Sequence, residues 1–296
     1  MARAFYETSP AASAVFAEAN DALGFDLTRL TFEGPALELT LTANTQPAVL
    51  TASVAVAAAC AERGLTPMVV AGHSVGEYSA LVAAGALRFG DAVRLVRKRG
   101  QFMQEAVPVG VGAMAAVMDV EVSILQDLCA DSAPGQVVEI AGINSPEQVV
   151  IAGHRAAVAR VVAQVSARAG KKGVLLPVSA PFHCSLMSPA VARLAGELDT
   201  VAVADPVIPV ARNVDGAMTR NAAEVRPTLL AQVTRPVRWT ACIRRLVAEG
   251  ASIFFEVGPG RVLTELNKKI VSGATTFPVG TPAQLDAALA AAGAMK

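Results

Sequence analysis

The sequence predicts an α/β fold in two unequal parts: a large domain built on a parallel sheet, and a small domain inserted into it. Three observations predict it. The apolar run 68–71 breaks into Gly72-His73-Ser74-Val75-Gly76 and then turns helical. Residues 110–178 change rhythm to a β-α-β-β-α-β order. Alanine-rich, amphipathic or wholly apolar helical stretches flank both. The first is the G-x-S-x-G spacing of a nucleophile elbow, the strand–turn–helix of α/β-hydrolase-like domains, with glycines easing close backbone passage. The second spells a ferredoxin-like unit. The expected boundaries are 1–109 and 179–296 for the large, discontinuous domain and 110–178 for the small one.

The elements follow in order. Residues 13–23 read as an amphipathic helix stopped by Gly24, and 45–63 as a helix apolar almost all round, hence buried. After Pro67 come the strand 68–71, the elbow and a helix over 75–84, with Gly85 as its stop. Residues 91–103 form a helix with Asp91 near its start, where negative charge suits the dipole. In the insert, 112–118 reads as a strand, 120–130 as a helix, and 137–144 and 148–152 as strands joined by the turn Ser145-Pro146-Glu147. A helix over 155–169 and a strand over 173–178 complete it. Beyond lie helices at 188–199, 225–233 and 239–249, a strand at 252–257, the turn Gly258-Pro259-Gly260, and a last helix over 282–291.

Composition narrows the function. The 296 residues are 53% hydrophobic and 17% charged, which suits a core-rich globular protein. A formal net charge of zero gives no electrostatic reason to expect nucleic acid or an anionic membrane as a partner. Cys60, Cys129, Cys184 and Cys242 are scattered without metal-ligand spacing and read as reduced thiols of a cytoplasmic protein. No apolar stretch approaches the roughly 20 residues of a membrane span, and no secretory signal is visible.

A serine hydroxyl needs an adjacent base to act as a nucleophile. The chain has three histidines. His73 adjoins Ser74 but points elsewhere from a strand–turn, and His154 opens a surface helix. His183 sits in the irregular loop Ser179-Ala180-Pro181-Phe182-His183-Cys184, a good place for a base; the alternative is a satisfied structural histidine. The alternative for Ser74 is a plain structural turn, which the strand before and the helix after make the lesser reading. A hydrolase would pass an acyl group to water; an acyltransferase would exclude water. Arg97-Lys98-Arg99-Gly100-Gln101 bears on this choice, because an arginine fork suits a substrate carboxylate. By charge alone the run reads first as the solvated C-terminal end of a helix.

GHSVGEYSALVAAGAL, RGQFMQEAVPVGVGAMAAV, NSPEQVVIAG, SAPFHCSLM and PVRWT…FFEVGPGRVL, in this order across the chain, resemble the malonyl-CoA:acyl-carrier-protein transacylases of type II fatty acid synthesis. The resemblance implies a two-step transfer from malonyl-CoA to the phosphopantetheine thiol of acyl carrier protein, with no cofactor of the enzyme's own and no metal. It implies Ser74 as nucleophile, His183 as base, and Arg99 as the grip on the malonyl carboxylate, against the charge-only reading. It implies Gln232 as the residue whose main-chain carbonyl orients the histidine, in place of an acidic third member. It also implies the Val75 N–H as an oxyanion donor, and Gln46 and Asn144 as residues lining the site. Phe182 resembles the malonyl-selective form of the loop, and Glu77 is expected to be structural. A polyketide synthase acyltransferase, a serine thioesterase or esterase, and a non-catalytic carrier-binding remnant remain alternatives.

The family pattern opens with a strand leading into a Gly-Gln-Gly-Ser-Gln loop whose glutamine serves the oxyanion hole. This sequence opens with MARAFYETSP, which aligns just after that loop. A true start upstream of Met1 is favoured over a real truncation, and the 296-residue chain is expected to be weakly active or poorly soluble.

Overall fold

The structure is a computed structural model and describes residues 1–293. Two sheets and many helices make up the part outside the insert. The N-terminal helices α1 (Arg3–Thr8), α2 (Pro10–Leu23), α3 (Leu27–Glu33) and α4 (Ala36–Leu39) lead into the long α5 (Thr42–Glu62). The elbow strand β1 (Val70–Ala71) runs into α6 (Val75–Ala83), followed by α7 (Phe89–Glu105). The basic run 97–101 lies inside α7, not at its end, because the helix continues to Glu105.

The insert is a four-stranded antiparallel sheet of β2 (Gly112–Met118), β3 (Val138–Ser145), β4 (Gln148–His154) and β5 (Gly173–Leu175), in the order β3-β4-β2-β5. Its helices are α8 (Val122–Asp131) and α9 (Arg155–Ala169). Alternation along the strands sorts the two faces, since successive side chains point to opposite sides. Ala113, Ala115, Val117 and Ile151 pack under Leu125, Leu128, Val158 and Val161 of the two helices. Met114, Ala116, Val150 and Ala152 pack on the other side against Phe182, Cys184 and Leu186. The second face of the insert therefore shapes the loop that carries His183. β5 is shorter than the sequence suggests. Its ladder ends with the Leu176 N–H on the Met114 carbonyl, and Pro177 has no N–H to continue it.

Beyond the insert come a 3₁₀ turn (Ser185–Met187), α10 (Ser188–Asp199), β6 (Val210–Ala211), β7 (Met218–Thr219), α11 (Ala222–Thr234) and α12 (Trp239–Ala248). β8 (Ile253–Val257), α13 (Val262–Ile270), β9 (Thr275–Val279) and α14 (Pro282–Gly293) complete the chain. The expected single parallel sheet is instead two short sheets. One is β1-β6-β7, with β1 parallel to β6 and β7 antiparallel; the other is the parallel pair β8-β9. β7 runs antiparallel because a tight turn with Gly216 at φ 74° folds it straight back on β6. Among the described residues β1 pairs only with β6, and β8 only with β9. Pro278 is tolerated in β9 because that strand pairs on one edge alone.

The α11–α12 connection locks the insert to the rest. Val237 donates its N–H to the Ala141 carbonyl and accepts from the Ile143 N–H, extending the β3 edge. All four cysteines are free and buried. No helix among the described residues is long and apolar enough to cross a membrane.

Candidate active site

The elbow is built around one close approach. A Cβ on Gly72 would stand 1.9 Å from the Gly76 carbonyl oxygen, so only glycine fits at 72, whereas a Cβ on Gly76 would meet nothing. Between them Ser74 takes φ 54° and ψ −111°, a conformation that persists only when its surroundings over-determine it. Asn213 supplies much of that constraint. Its Oδ1 accepts the Ser74 N–H at 2.7 Å, and its Nδ2 donates to the Gly72 carbonyl at 2.7 Å. Val75 opens α6, and the N–H of a first helical residue has no intrahelical acceptor.

Ser74 Oγ lies 2.7 Å from His183 Nε2. The other ring nitrogen, Nδ1, is 2.8 Å from the Gln232 main-chain carbonyl. A carbonyl can only accept, so Nδ1 carries the proton and Nε2 is left free to take one from the serine. His183 is buried, and burial first, then the Arg99 charge, push its pKa down to about 3. The imidazole is therefore neutral at physiological pH, and among the described residues no carboxylate contacts it.

Arg99 reaches the same point from α7. It is 2% exposed, and its guanidinium donates to Gln46 Oε1 at 2.7 Å, Gln232 Oε1 at 2.9 Å and Ser74 Oγ at 3.2 Å. Among the described residues its Nε has no hydrogen-bond partner. Among the described residues it makes no ion pair, although a buried cation without one is costly. Gly100 permits this geometry: a Cβ there would meet the Thr42 carbonyl at 2.5 Å, so α7 can sit close enough to α5 for Gln46 to reach Arg99. Arg97 and Lys98 point elsewhere, Arg97 over the Phe25 ring at 4.1 Å and Lys98 3.9 Å from Glu197.

Ser74, His183, Arg99, Gln232 and Gln46 thus converge through direct contacts, with Val75 next to the serine. Asn144 does not touch this group. Its Oδ1 is 2.9 Å from His73 Nε2 and its Nδ2 donates to Gln148. It ties β3 to the elbow through His73. Asn213 escaped sequence reasoning, because a polar residue opening an Asn-Val-Asp-Gly stretch reads as a turn. The arrangement can deprotonate a serine beside a buried cation that, among the described residues, has no carboxylate in ion-pair contact.

The acyl transferase domain profile matches residues 1–282. The chain belongs to the acyl transferase domain family. Within that family it is 49% identical to the malonyl CoA-acyl carrier protein transacylase of Salmonella typhimurium over 281 residues, 95% of this chain and 91% of that one. It is also similar to the crystal structure of malonyl-CoA:acyl carrier protein transacylase from Xanthomonas oryzae pv. oryzae (44% identity, TM-score 0.95, covering 98% of this chain and 93% of that one). A third similar structure is a malonyl-transacylase in complex with its type II PKS acyl-carrier protein (43% identity, TM-score 0.95, 98% and 94% covered). This acyl transferase chain therefore spans most of the length of each.

Proposed function

We infer that the protein is an [acyl-carrier-protein] S-malonyltransferase working through a malonyl-serine intermediate. One observation carries the assignment of roles: a buried arginine without a carboxylate partner lies 3.2 Å from the serine oxygen that His183 contacts. An acyl group on Ser74 that ends in a carboxylate would supply the missing counter-ion; an acetyl group would leave Arg99 unpaired.

In the first half-reaction His183 Nε2 takes the Ser74 proton and the oxygen attacks the thioester carbon of malonyl-CoA. The Val75 N–H faces the developing oxyanion, the kind of stabilisation that is usually the largest catalytic term. The C–S bond breaks, the CoA thiolate takes the proton back from the imidazolium, and malonyl-Ser74 remains. In the second, the phosphopantetheine thiol of acyl carrier protein gives its proton to His183 and attacks the ester; the ester C–O bond breaks, and the Ser74 oxygen takes the proton from the imidazolium. Arg99 holds the carboxylate throughout, with Gln46 and Gln232 fixing its fork. The reaction calls for no cofactor beyond malonyl-CoA as substrate and the phosphopantetheine that the carrier protein brings.

The strand order of the insert and its two helices on one face support a ferredoxin-like reading of 110–178. The elbow and the parallel β1–β6 pair support a hydrolase-like reading of 1–109 and 179–296. The four free, buried cysteines suit the cytoplasm. Intact mass after mixing with malonyl-CoA tests the reaction. A malonyl adduct that needs Ser74 and disappears on adding carrier protein is expected; release to water instead would favour a thioesterase. Repeating the second step with a fatty-acid and a polyketide carrier protein decides which one the enzyme serves.

A further inference from the structure

Glu77 stands one turn past the nucleophile and is 2% exposed. A carboxylate so far from water needs hydrogen-bond partners. It finds two, and both converge on one oxygen. Glu77 Oε2 accepts from Gln232 Nε2 at 2.7 Å and from the Asn213 main-chain N–H at 3.1 Å. The Gln232 amide is thereby anchored by its nitrogen, which also donates to the Ser74 carbonyl at 3.1 Å. That leaves its oxygen facing Arg99 at 2.9 Å. The opposite amide orientation would set oxygen against carboxylate on one side and NH₂ against guanidinium on the other.

We propose that Glu77 is a positioning residue for acyl-group selection: its carboxyl oxygen fixes the orientation of the Gln232 amide, and the amide holds the Arg99 guanidinium toward the space beside Ser74 Oγ. The inference rests on the reading of Arg99 as the carboxylate grip. Among the described residues the Glu77 side chain makes no hydrogen bond to Ser74 Oγ or to the His183 ring.

The test compares wild type, Glu77→Ala, Glu77→Gln and Gln232→Leu in the rate of acyl-serine formation from malonyl-CoA and from acetyl-CoA. In Glu77→Ala the preference for malonyl over acetyl should fall by about tenfold or more, the scale of a lost hydrogen bond to a charged group. The loss should appear mainly in KM for malonyl-CoA. Glu77→Gln keeps an oxygen for both donors and should retain most of the preference. Gln232→Leu cuts the same link at its other end while its main-chain carbonyl still serves His183, so a variant combining Glu77→Ala with Gln232→Leu, measured alongside, should lose no more preference than the worse single one. Equal losses with both thioesters, no rescue by glutamine, or additive losses would overturn the proposal. Should Glu77→Ala fail to fold, Gln232→Leu decides: an unchanged preference sinks the idea. A wild type with no malonyl preference would instead overturn the reading of Arg99, a separate result.

Discussion

Ser74 and His183 both sit in the left-handed region, at φ 54° and 60°, and their side chains meet at 2.7 Å. Neither conformation is favourable for a residue with a side chain. Strain at both ends of one contact marks a geometry fixed by its surroundings rather than by local preference. Replacing Ser74 with alanine should abolish the acyl adduct in intact mass. Replacing His183 with alanine should slow adduct formation by about 10²–10⁴-fold, the usual share of general-base catalysis.

The same imidazole predicts an unusual pH profile. A histidine at its ordinary pKa near 6.5 would lose half its base form there. Burial and the Arg99 charge push His183 down to about 3. Acylation should therefore hold nearly level from about pH 7.5 to about pH 5, well above that value. Stability carries the matching sign. Between about 6.5 and 3 the unfolded chain binds a proton that the native state refuses, so this group destabilises the fold as pH falls through that window. An acylation rate that halves near the ordinary histidine value would count against the assignment.

Arg99→Ala should lower malonyl transfer by about 10²-fold or more, in line with losing a charge-assisted bidentate contact, while acetyl transfer holds or rises. Arg99→Lys should not restore malonyl transfer, because an ammonium cannot contact Gln46, Gln232 and a substrate carboxylate with one planar fork. Competition between malonyl-CoA and acetyl-CoA in one pot reads the ratio directly. A variant with unchanged selectivity would remove Arg99 from the substrate contact.

How far the sequence reveals this site depends on the range of each interaction. The elbow, α10 and the strands of the insert are written in local patterns: glycine spacing, helical periodicity and two-residue alternation. Short strands such as β6 and β7 are two residues long and flanked by Pro209 and a turn, so no pattern can mark them. β9 hides behind Pro278, which is acceptable because, among the described residues, the strand pairs along one edge alone, a tertiary fact. Ser74 and His183 are legible because their chemistry restricts the candidates. Asn213 is not. It lies 139 residues from Ser74 in sequence, and nothing local shows that its side chain holds the elbow.

Asn213→Ala should accordingly disturb the elbow more than a turn residue would. It leaves the Ser74 N–H and the Gly72 carbonyl without their side-chain partner. An unsatisfied buried group costs about 1–3 kcal/mol, so the midpoint of urea unfolding should fall and acylation should slow together. Normal stability and normal acylation would show that the elbow holds its shape without Asn213.

Glu77 should leave its own mark on stability. Burial raises its carboxyl to about 7, against the pull of Gln232, the Asn213 N–H and the Arg99 charge, with Asp215 adding to the rise. Arg99 faces it from α7, Gln232 from α11, Asn213 and Asp215 from the turn after β6, and the Cys242 thiol from α12. Between the ordinary value of 4.5 and about 7 the native state holds a proton that the unfolded chain has released. Native stability then falls as pH rises through that window and levels off above it. Glu77→Gln removes the titration and leaves His183 in place, so the difference between the two proteins isolates this one group. Across the window wild type should lose on the order of 3 kcal/mol relative to the variant, because each pH unit between the two values is worth about 1.36 kcal/mol. Urea unfolding midpoints taken at closely spaced pH values measure it. A difference that stays flat across the range would mean that Glu77 remains ionised throughout, held by Arg99 and the Gln232 amide against the cost of burial.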